Sequence, residues 1–443
     1  MKNKFLIFFF ISFLYSNIFA NEKTLTFLEA YNLSLKNYNK IKALDYQLEA
    51  GYENIIQAKS KLYPEVNFYT SYSKNEYKFN NDFLDKTKQK VRNYNVILHQ
   101  PIFDKTIDTQ IDIENYKYKS LDTEIKSIKQ DLAKDILKLY LSLIESKNKI
   151  KMFLNYKENL SYKIELLEKQ YSMDLSTQTE VLDLQIELNQ VNVDLEKEKF
   201  LYQINKNKLQ IFMDDETNFR VPNLDNPDFI FKSLEKLNKF MNSKKEIYSN
   251  FQIKKLENIV QIYKHEIKSN QYNHLPKVEL QLKYTKNMSI ENPYNFDSSL
   301  DEDKEIALSL VIPIFKGGYF DSRTTASKLN AKASQEELNN LINDLESQYK
   351  ELETTLIWTI KSINLFKKSL QTAILSEESI KKEYEYGIKS VIDLYDAKYE
   401  IFKIKEKFMN TVFTLVDTYL SLLILTNNFE TEDLQLIDLI LED

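Results

Sequence analysis

Two pairs of short segments alternate between apolar and polar residues along the chain. They are residues 65–76 and 92–100, followed much later by residues 277–287 and 304–312. In the first segment, Val66 and Phe68 alternate with Asn67 and Tyr69. A period of two is typical of a half-buried β-strand, and each run has the length of a tilted strand that crosses a membrane. The alternation also suits a soluble hairpin packed on one face, so it leaves both environments open.

The longer segments have the periodicity of helices. Apolar residues recur every three or four positions from Leu121 to Leu143, and two heptad rows begin at Leu338 and Ile342. This pattern predicts coiled-coil packing. The chain has only 4 glycines and 7 prolines in 443 residues, so we expect few turns and long helices. Residues 108–172 contain neither glycine nor proline. As one helix they would measure roughly 100 Å.

The chain is an internal duplication. The matched segments are Leu62–Val66 with His274–Val278, Gln100–Asp104 with Ile312–Lys316, and Tyr171–Asp174 with Tyr384–Gly387. The first two pairs are offset by 212 residues and the third by 213. Three matches at nearly one offset indicate a repeated unit of a helix, two strands, a very long helix, a short break and another helix.

The start of the chain predicts an export signal. Lys2 and Lys4 precede the apolar stretch 5–19, and Ala20 offers a small residue for cleavage. The expected organisation is a signal peptide at 1–20, a first repeat at 21–213, an equatorial connector at 214–235, a second repeat at 236–428 and an acidic tail at 429–443. We expect no transmembrane helix after residue 20.

The composition excludes several classes of function. The chain has no cysteine, so it has no disulfide, thiolate metal site, thiol nucleophile or lipid-accepting cysteine. Its net charge of −6 without basic runs argues against nucleic-acid binding. The three histidines have no metal-ligand spacing, and no nucleophile–base arrangement is visible. We therefore expect no metal, no cofactor and no enzymatic activity.

The number of strands constrains any membrane form of the protein. Four strands are too few to close a barrel, which needs about eight. An open edge cannot face lipid, so strands in a membrane would have to be shared between subunits. The strand count does not choose among two, three or four protomers.

Residues 384–397 carry the most specific pattern in the chain. They contain Tyr384, then Gly387, then two aspartates three residues apart, Asp393 and Asp396, followed by Ala397. With the order of elements and the duplication, this segment resembles the TolC-type outer-membrane efflux family. The resemblance covers about residues 24–428, and Tyr171–Leu184 is a weaker copy of the same pattern.

The resemblance implies a mainly helical protein with membrane β-structure. Three protomers would share a 12-stranded β-barrel in the outer membrane, and their long coiled-coil helices would form a periplasmic α-barrel. The implied function is the exit duct of a tripartite efflux or type I secretion system. The implied partners are outer-membrane lipid, a periplasmic adaptor protein and an inner-membrane pump of the resistance-nodulation-division or ABC type. A soluble periplasmic coiled-coil scaffold or adaptor is the alternative, although it would lack the paired strands.

The resemblance also assigns roles to particular residues. Asp393 and Asp396, with Glu180 and Asp183 at the equivalent positions, would line the closed tunnel mouth. Tyr384 and Lys389 would form a gate latch with Thr179 and Glu180 as expected partners, although the family more often has arginine where this chain has Lys389. The expected adaptor-contact residues at the tips are Asp174, Leu175, Ser176, Gly387, Ile388 and Ser390.

The two tips differ at one position that matters for the backbone. Gly387 is suited to the positive φ of a helix-to-helix break, whereas the first copy has Asp174 there. Because aspartate tolerates positive φ less well than glycine, we expect the two tips to differ in shape.

Overall fold

A computed structural model describes residues 23–77, 87–216, 218–222, 247–291 and 301–441. The expected signal peptide at 1–20 lies outside the described residues. So do residues 223–235 of the expected connector.

The same order of elements occurs in both halves of the chain. The helices are α1 Phe27–Asn37, α2 Asn39–Ser60, α3 Lys105–Tyr171, α4 Gln178–Met213, α5 Phe251–Tyr272, α6 Tyr319–Glu385, α7 Val391–Leu425 and α8 Thr431–Leu441. The strands are β1 Lys23–Thr24, β2 Glu65–Tyr77, β3 Thr87–Phe103, β4 Phe219–Arg220, β5 Lys277–Glu291 and β6 Asp301–Val311. Helices α3 and α6 each have 67 residues, and α2 and α5 each have 22. The protein is therefore mostly helical, with a sheet.

Strands β2, β3, β5 and β6 form an antiparallel sheet in that order. The register aligns the alternating apolar residues, because Val66 pairs with Leu98, Leu98 with Leu282, and Leu282 with Ile306. One face is consequently apolar. The opposite face carries polar residues that include Glu65, Asn67, Lys283, Asp303 and Glu305.

Strand β3 is longer than the alternation predicts. It starts at Thr87 and ends at Phe103, whereas the sequence pattern covers 92–100. Pro101 lies inside the strand, and the pairing with β5 shifts register between Pro101 and Phe103. Proline has no N–H to donate to the ladder, which explains the irregularity.

The largest hydrophobic core in the described residues includes many side chains of α7. Phe408, Val412 and Leu420 belong to it, together with Phe27 and Tyr140. Contrary to the expectation that no such segment follows residue 20, Ile392–Leu425 is long and apolar enough to cross a membrane. However, 72% of its apolar window is buried inside the chain, so packing in the core accounts for its composition.

The acidic tail ends in helix α8, which packs against the same core. The carboxylate of Asp438 accepts hydrogen bonds from the backbone amides of Phe27 at 2.7 Å and Leu28 at 3.1 Å. These amides begin helix α1, where a negative charge is favourable. Asp438 therefore fixes the start of the described chain.

The chain divides into two compact units. One lies within Met1–Leu44, Lys126–Asn250 and Ile342–Asp443, and the other within Asp45–Ile125 and Phe251–Leu341. The first unit contains both helical hairpin tips and the core around α7. The second contains the four-stranded sheet. Each unit takes segments from both copies of the duplication.

Candidate functional site: the hairpin tips and the exposed sheet

The two hairpin tips share a left-handed residue at the break between helices. Asp174 has a φ of 56° and Gly387 a φ of 74°. In each tip the next residue bonds back to the preceding helix, from the Leu175 amide to the Gln170 carbonyl at 2.9 Å and from the Ile388 amide to the Glu383 carbonyl at 2.8 Å. The positive φ expected at Gly387 is confirmed. The difference expected at this position is not found, because Asp174 also adopts the left-handed conformation, which aspartate visits more readily than most residues.

Each tip is followed by a capping box that the sequence analysis missed. The Thr177 amide donates to the Glu180 carboxylate at 3.0 Å, and the Glu180 amide donates to the Thr177 hydroxyl at 3.3 Å. The Ser390 amide donates to the Asp393 carboxylate at 2.9 Å, and the Asp393 amide donates to the Ser390 hydroxyl at 3.1 Å. A Ser or Thr followed three residues later by an acid was the available sequence signal.

Capping changes the electrostatics of two of the four predicted pore acids. Hydrogen bonds from the Ser176 hydroxyl and the Thr177 amide hold the pKa of Glu180 below its usual value. The Ser390 hydroxyl and amide lower the pKa of Asp393 in the same way. These carboxylates are bound to the amides that start α4 and α7, so they first serve to begin those helices.

The predicted latch is not formed within one chain. Lys389 Nζ lies 3.6 Å from Asp393 Oδ1 on its own helix end. Among the described residues, neither Lys389 nor Tyr384 bonds to Thr179 or Glu180. All four side chains reach solvent, so a latch would have to form with a neighbouring subunit. It stays a prediction.

Asp396 has a partner that the sequence analysis did not predict. Its carboxylate lies 2.8 Å from Nζ of Lys163, on α3, and the pair joins residues 233 positions apart. The Lys163 side chain is only 5% exposed, whereas that of Asp396 is 68% exposed. A buried ammonium needs a counter-charge, and Asp396 supplies it.

Asp183 is the fourth predicted pore acid and has no such partner among the described residues. It is exposed on α4, at the position equivalent to Asp396. The position equivalent to Lys163 is Ser376, at the offset of 213. The two copies therefore carry the same carboxylate with different neighbours.

Tyrosines join α3 and α7 beside the Lys163–Asp396 pair. The rings of Tyr156 and Tyr399 stack at 4.3 Å, and those of Tyr162 and Tyr395 meet edge to face at 5.9 Å. The Tyr156 hydroxyl donates to Glu187 on α4. Burial, then this carboxylate, raise the pKa of Tyr156. These contacts define the α3/α7 seam.

The apolar face of the sheet is open to its surroundings. Phe68 is 63% exposed, Ile306 79% and Leu308 70%. In the described residues, β2 and β6 each pair with one strand only, so both outer edges of the sheet present unpaired backbone groups. A soluble protein rarely exposes such a face.

The chain is similar throughout to outer-membrane channels. A family model for "Outer membrane efflux protein" matches residues 30–212. The Outer membrane protein TolC of Vibrio cholerae is 18% identical over 401 residues, which cover 89% of each chain. Residues 30–212 therefore match the outer membrane efflux protein family, and the similarity to TolC extends over most of the chain. This is a family of channel proteins rather than enzymes, and the protein is located in the outer membrane.

Solved structures of outer-membrane proteins share the fold. The Campylobacter jejuni CmeC outer membrane channel superposes with a TM-score of 0.74 at 12% identity, covering 94% of this chain and 90% of that one. The outer membrane protein VceC of Vibrio cholerae superposes with a TM-score of 0.71 at 13% identity, covering 90% of this chain and 95% of that one.

Proposed function

We propose that this chain is one of three identical subunits of an outer-membrane exit duct. The duct passes substrates from an inner-membrane pump across the periplasm and the outer membrane, in a tripartite efflux or type I secretion system. The observation that carries the proposal is the sheet, which is apolar and exposed on one face, polar on the other and, as far as the structure describes the chain, unpaired at both edges.

The sheet suits a shared barrel. Its apolar face matches lipid and its polar face matches a water-filled lumen. Lipid offers no hydrogen bonds to the free edges of β2 and β6, so each edge needs a strand from another subunit. Three subunits would supply twelve strands, the number that the family resemblance implies.

The helices of the first unit also carry unpartnered apolar stripes. On α4 the exposed residues are Leu182, Ile186, Val193 and Phe200, and on α6 they are Trp358, Leu365 and Leu375. Positions 186, 193 and 200 are spaced by seven, as in a coiled-coil seam. At the offset of 213, Leu375 and Leu182 are equivalent to Tyr162 and Tyr395, which touch in the α3/α7 seam. We place α6 of one subunit against α4 of the next.

The tips are the proposed docking and gating site. Leu175 and Ile388 are 74% and 73% exposed, and their amides make equivalent hydrogen bonds to the preceding helix. A periplasmic adaptor would contact them together with Asp174, Ser176, Gly387 and Ser390. The pump would be of the resistance-nodulation-division or ABC type. Asp183, with the capped and paired acids beside it, would give the mouth its preference for cations.

Assembly and conductance test the proposal together. In detergent, native mass spectrometry should give a homotrimer, and in planar bilayers the protein should form cation-selective channels. A monodisperse monomer that needs no detergent would contradict the proposal and favour a soluble scaffold. A trimer without conductance would leave the membrane location intact and contradict the duct.

A further inference from the structure

At one place in the sheet, which we call the β3/β5 junction, the end of one strand pairs with the start of the next strand of the same chain. Phe103 at the end of β3 pairs with Val278 at the start of β5. Beside this pair, Lys277 Nζ lies 2.8 Å from the Asp104 carboxylate and 3.4 Å from the Thr106 hydroxyl. Burial opposes ionisation of Asp104, but the hydrogen bonds from Lys277 and Thr106 hold its pKa below the usual value. Strand pairing and an ion pair thus close the β3/β5 junction together.

Because the chain is duplicated, the residues of the β3/β5 junction have equivalents at the two outer strands of the sheet, β2 and β6. At the offset of 212, Phe103 is equivalent to Phe315 and Val278 to Val66. Asp104 is equivalent to Lys316, and Lys277 to Glu65. The charges are reversed on both sides, so opposite charges still face each other if the junction is built a second time.

No described strand of the same chain pairs with the outer edges of β2 and β6, where this second junction would form. Strand β6 ends at Val311, and beyond it Ile314 is 93% and Phe315 83% exposed. Val66 on the edge strand β2 is 60% exposed. Glu65 is exposed and accepts a hydrogen bond from Asn67 at 2.8 Å, and Lys316 is exposed as well. The segment 312–316 is therefore equivalent to the paired end of β3, but its own side chains are mostly exposed.

We propose that a second copy of this chain completes the junction, with Phe315 of one subunit beside Val66 of the next and Lys316 paired with Glu65. The proposal rests on the shared barrel described above and adds its register. A second copy is the occupant because both complementary charges, Glu65 and Lys316, are supplied by this chain, and because the equivalent residues Phe103 and Val278 already pair within it.

Disulfide trapping tests the register directly, because the chain has no native cysteine. Directly opposite residues of antiparallel strands have Cα atoms about 4.5–5.5 Å apart, within disulfide range. Val66→Cys with Phe315→Cys should give covalent dimers and trimers in non-reducing gels. The matched control, Phe103→Cys with Val278→Cys, should form its disulfide within one chain and leave the gel pattern monomeric.

Charge reversal provides a second readout that needs no disulfide. Glu65→Lys and Lys316→Glu should each lower the temperature at which the trimer dissociates, because each places like charges together. The two changes combined should restore it. The register is wrong if native mass spectrometry gives a trimer, no cross-link forms, and the double variant dissociates at no higher temperature than either single variant. That result would leave the proposed exit duct intact. A monomer would overturn both.

Discussion

The seam between α3 and α7 and the proposed contact between α6 of one subunit and α4 of the next use equivalent positions but different chemistry. In the first, Tyr162 meets Tyr395 and Lys163 bonds to Asp396. In the second, the equivalent residues are Leu375, Leu182, Ser376 and Asp183, at the offset of 213. The α3/α7 seam within the chain combines an aromatic contact with an ion pair. The proposed α4/α6 contact, which we call the untied seam, has aliphatic side chains and no equivalent lysine.

The difference teaches how a duplicated chain separates folding from assembly. Lys163 can stay buried because Asp396 of the same chain is always present to neutralise it. A subunit that has not yet assembled would have to keep such a lysine exposed or unpaired. Leucine has no such requirement, because its burial on assembly only removes apolar surface from water. In the proposed trimer, the untied seam is also the one that can separate when the mouth opens.

The largest effect should come from charging the untied seam. Leu182→Asp with Leu375→Asp would place unpaired carboxylates in the proposed contact between α4 and α6. Burying each would cost several kcal/mol, which is at least about a hundredfold in association. We expect monomers in native mass spectrometry. Leu182→Met with Leu375→Met keeps the apolar surface and should remain trimeric. An intact trimer in the Asp variant would contradict the pairing of α4 with α6.

The next effect concerns how much Asp183 and Asp396 each contribute to the cation selectivity of the proposed channel mouth. Lys163 neutralises Asp396, whereas no described residue pairs with Asp183 in the same way. Asp183→Asn should therefore lower cation selectivity by roughly twofold in planar bilayers, and Asp396→Asn by less. In a Lys163→Met background, Asp396→Asn should gain effect because Asp396 is then unpaired. Equal effects of the two single variants would show that the ion pair does not set the charge of the mouth.

A smaller effect should follow from building the missing tie. Ser376→Lys places a lysine opposite Asp183 of the neighbouring subunit, as Lys163 stands opposite Asp396. Such a pair is worth about 0.2–1 kcal/mol if it stays partly exposed. The trimer should dissociate at a slightly higher temperature, and the channel should open less often. Ser376→Met, which has similar length and no charge, is the control. A gain in both variants would assign the effect to packing.

The smallest effect is a local dependence on pH, which should be alike in both tips. The pKa values of Glu180 and Asp393 are lowered in the folded protein, so their stabilisation is complete above the unfolded-state values of 4.5 and 3.8. It is lost as the pH falls through the lower folded-state values. Amide hydrogen exchange at the starts of α4 and α7, corrected for its intrinsic pH dependence, should rise over that interval. Glu180→Gln and Asp393→Asn should remove the rise in their own helix only.

Local patterns in the sequence predicted much of the architecture. Alternation identified the sheet segments, and the paired prolines revealed the duplication. Gly387 marked a positive φ. Even the capping boxes at Thr177 and Ser390 were readable, because a cap and its acid are three residues apart. Each of these features depends on periodicity or on neighbours within one turn of the chain.

Tertiary structure alone decided which charged side chains form ion pairs or hydrogen bonds with distant residues. Asp396 and Lys163 are 233 residues apart, and Asp438 reaches the amide of Phe27 across 411 residues. A heptad pattern shows which face of a helix is buried, but not which residue of a distant helix lies opposite. The sequence therefore determined that four acids lie near the tips. Only the packing of α3 against α7 decided that Asp396 is paired, while Asp183 forms no ion pair within the described part of the chain, because an ion pair depends on distance in space.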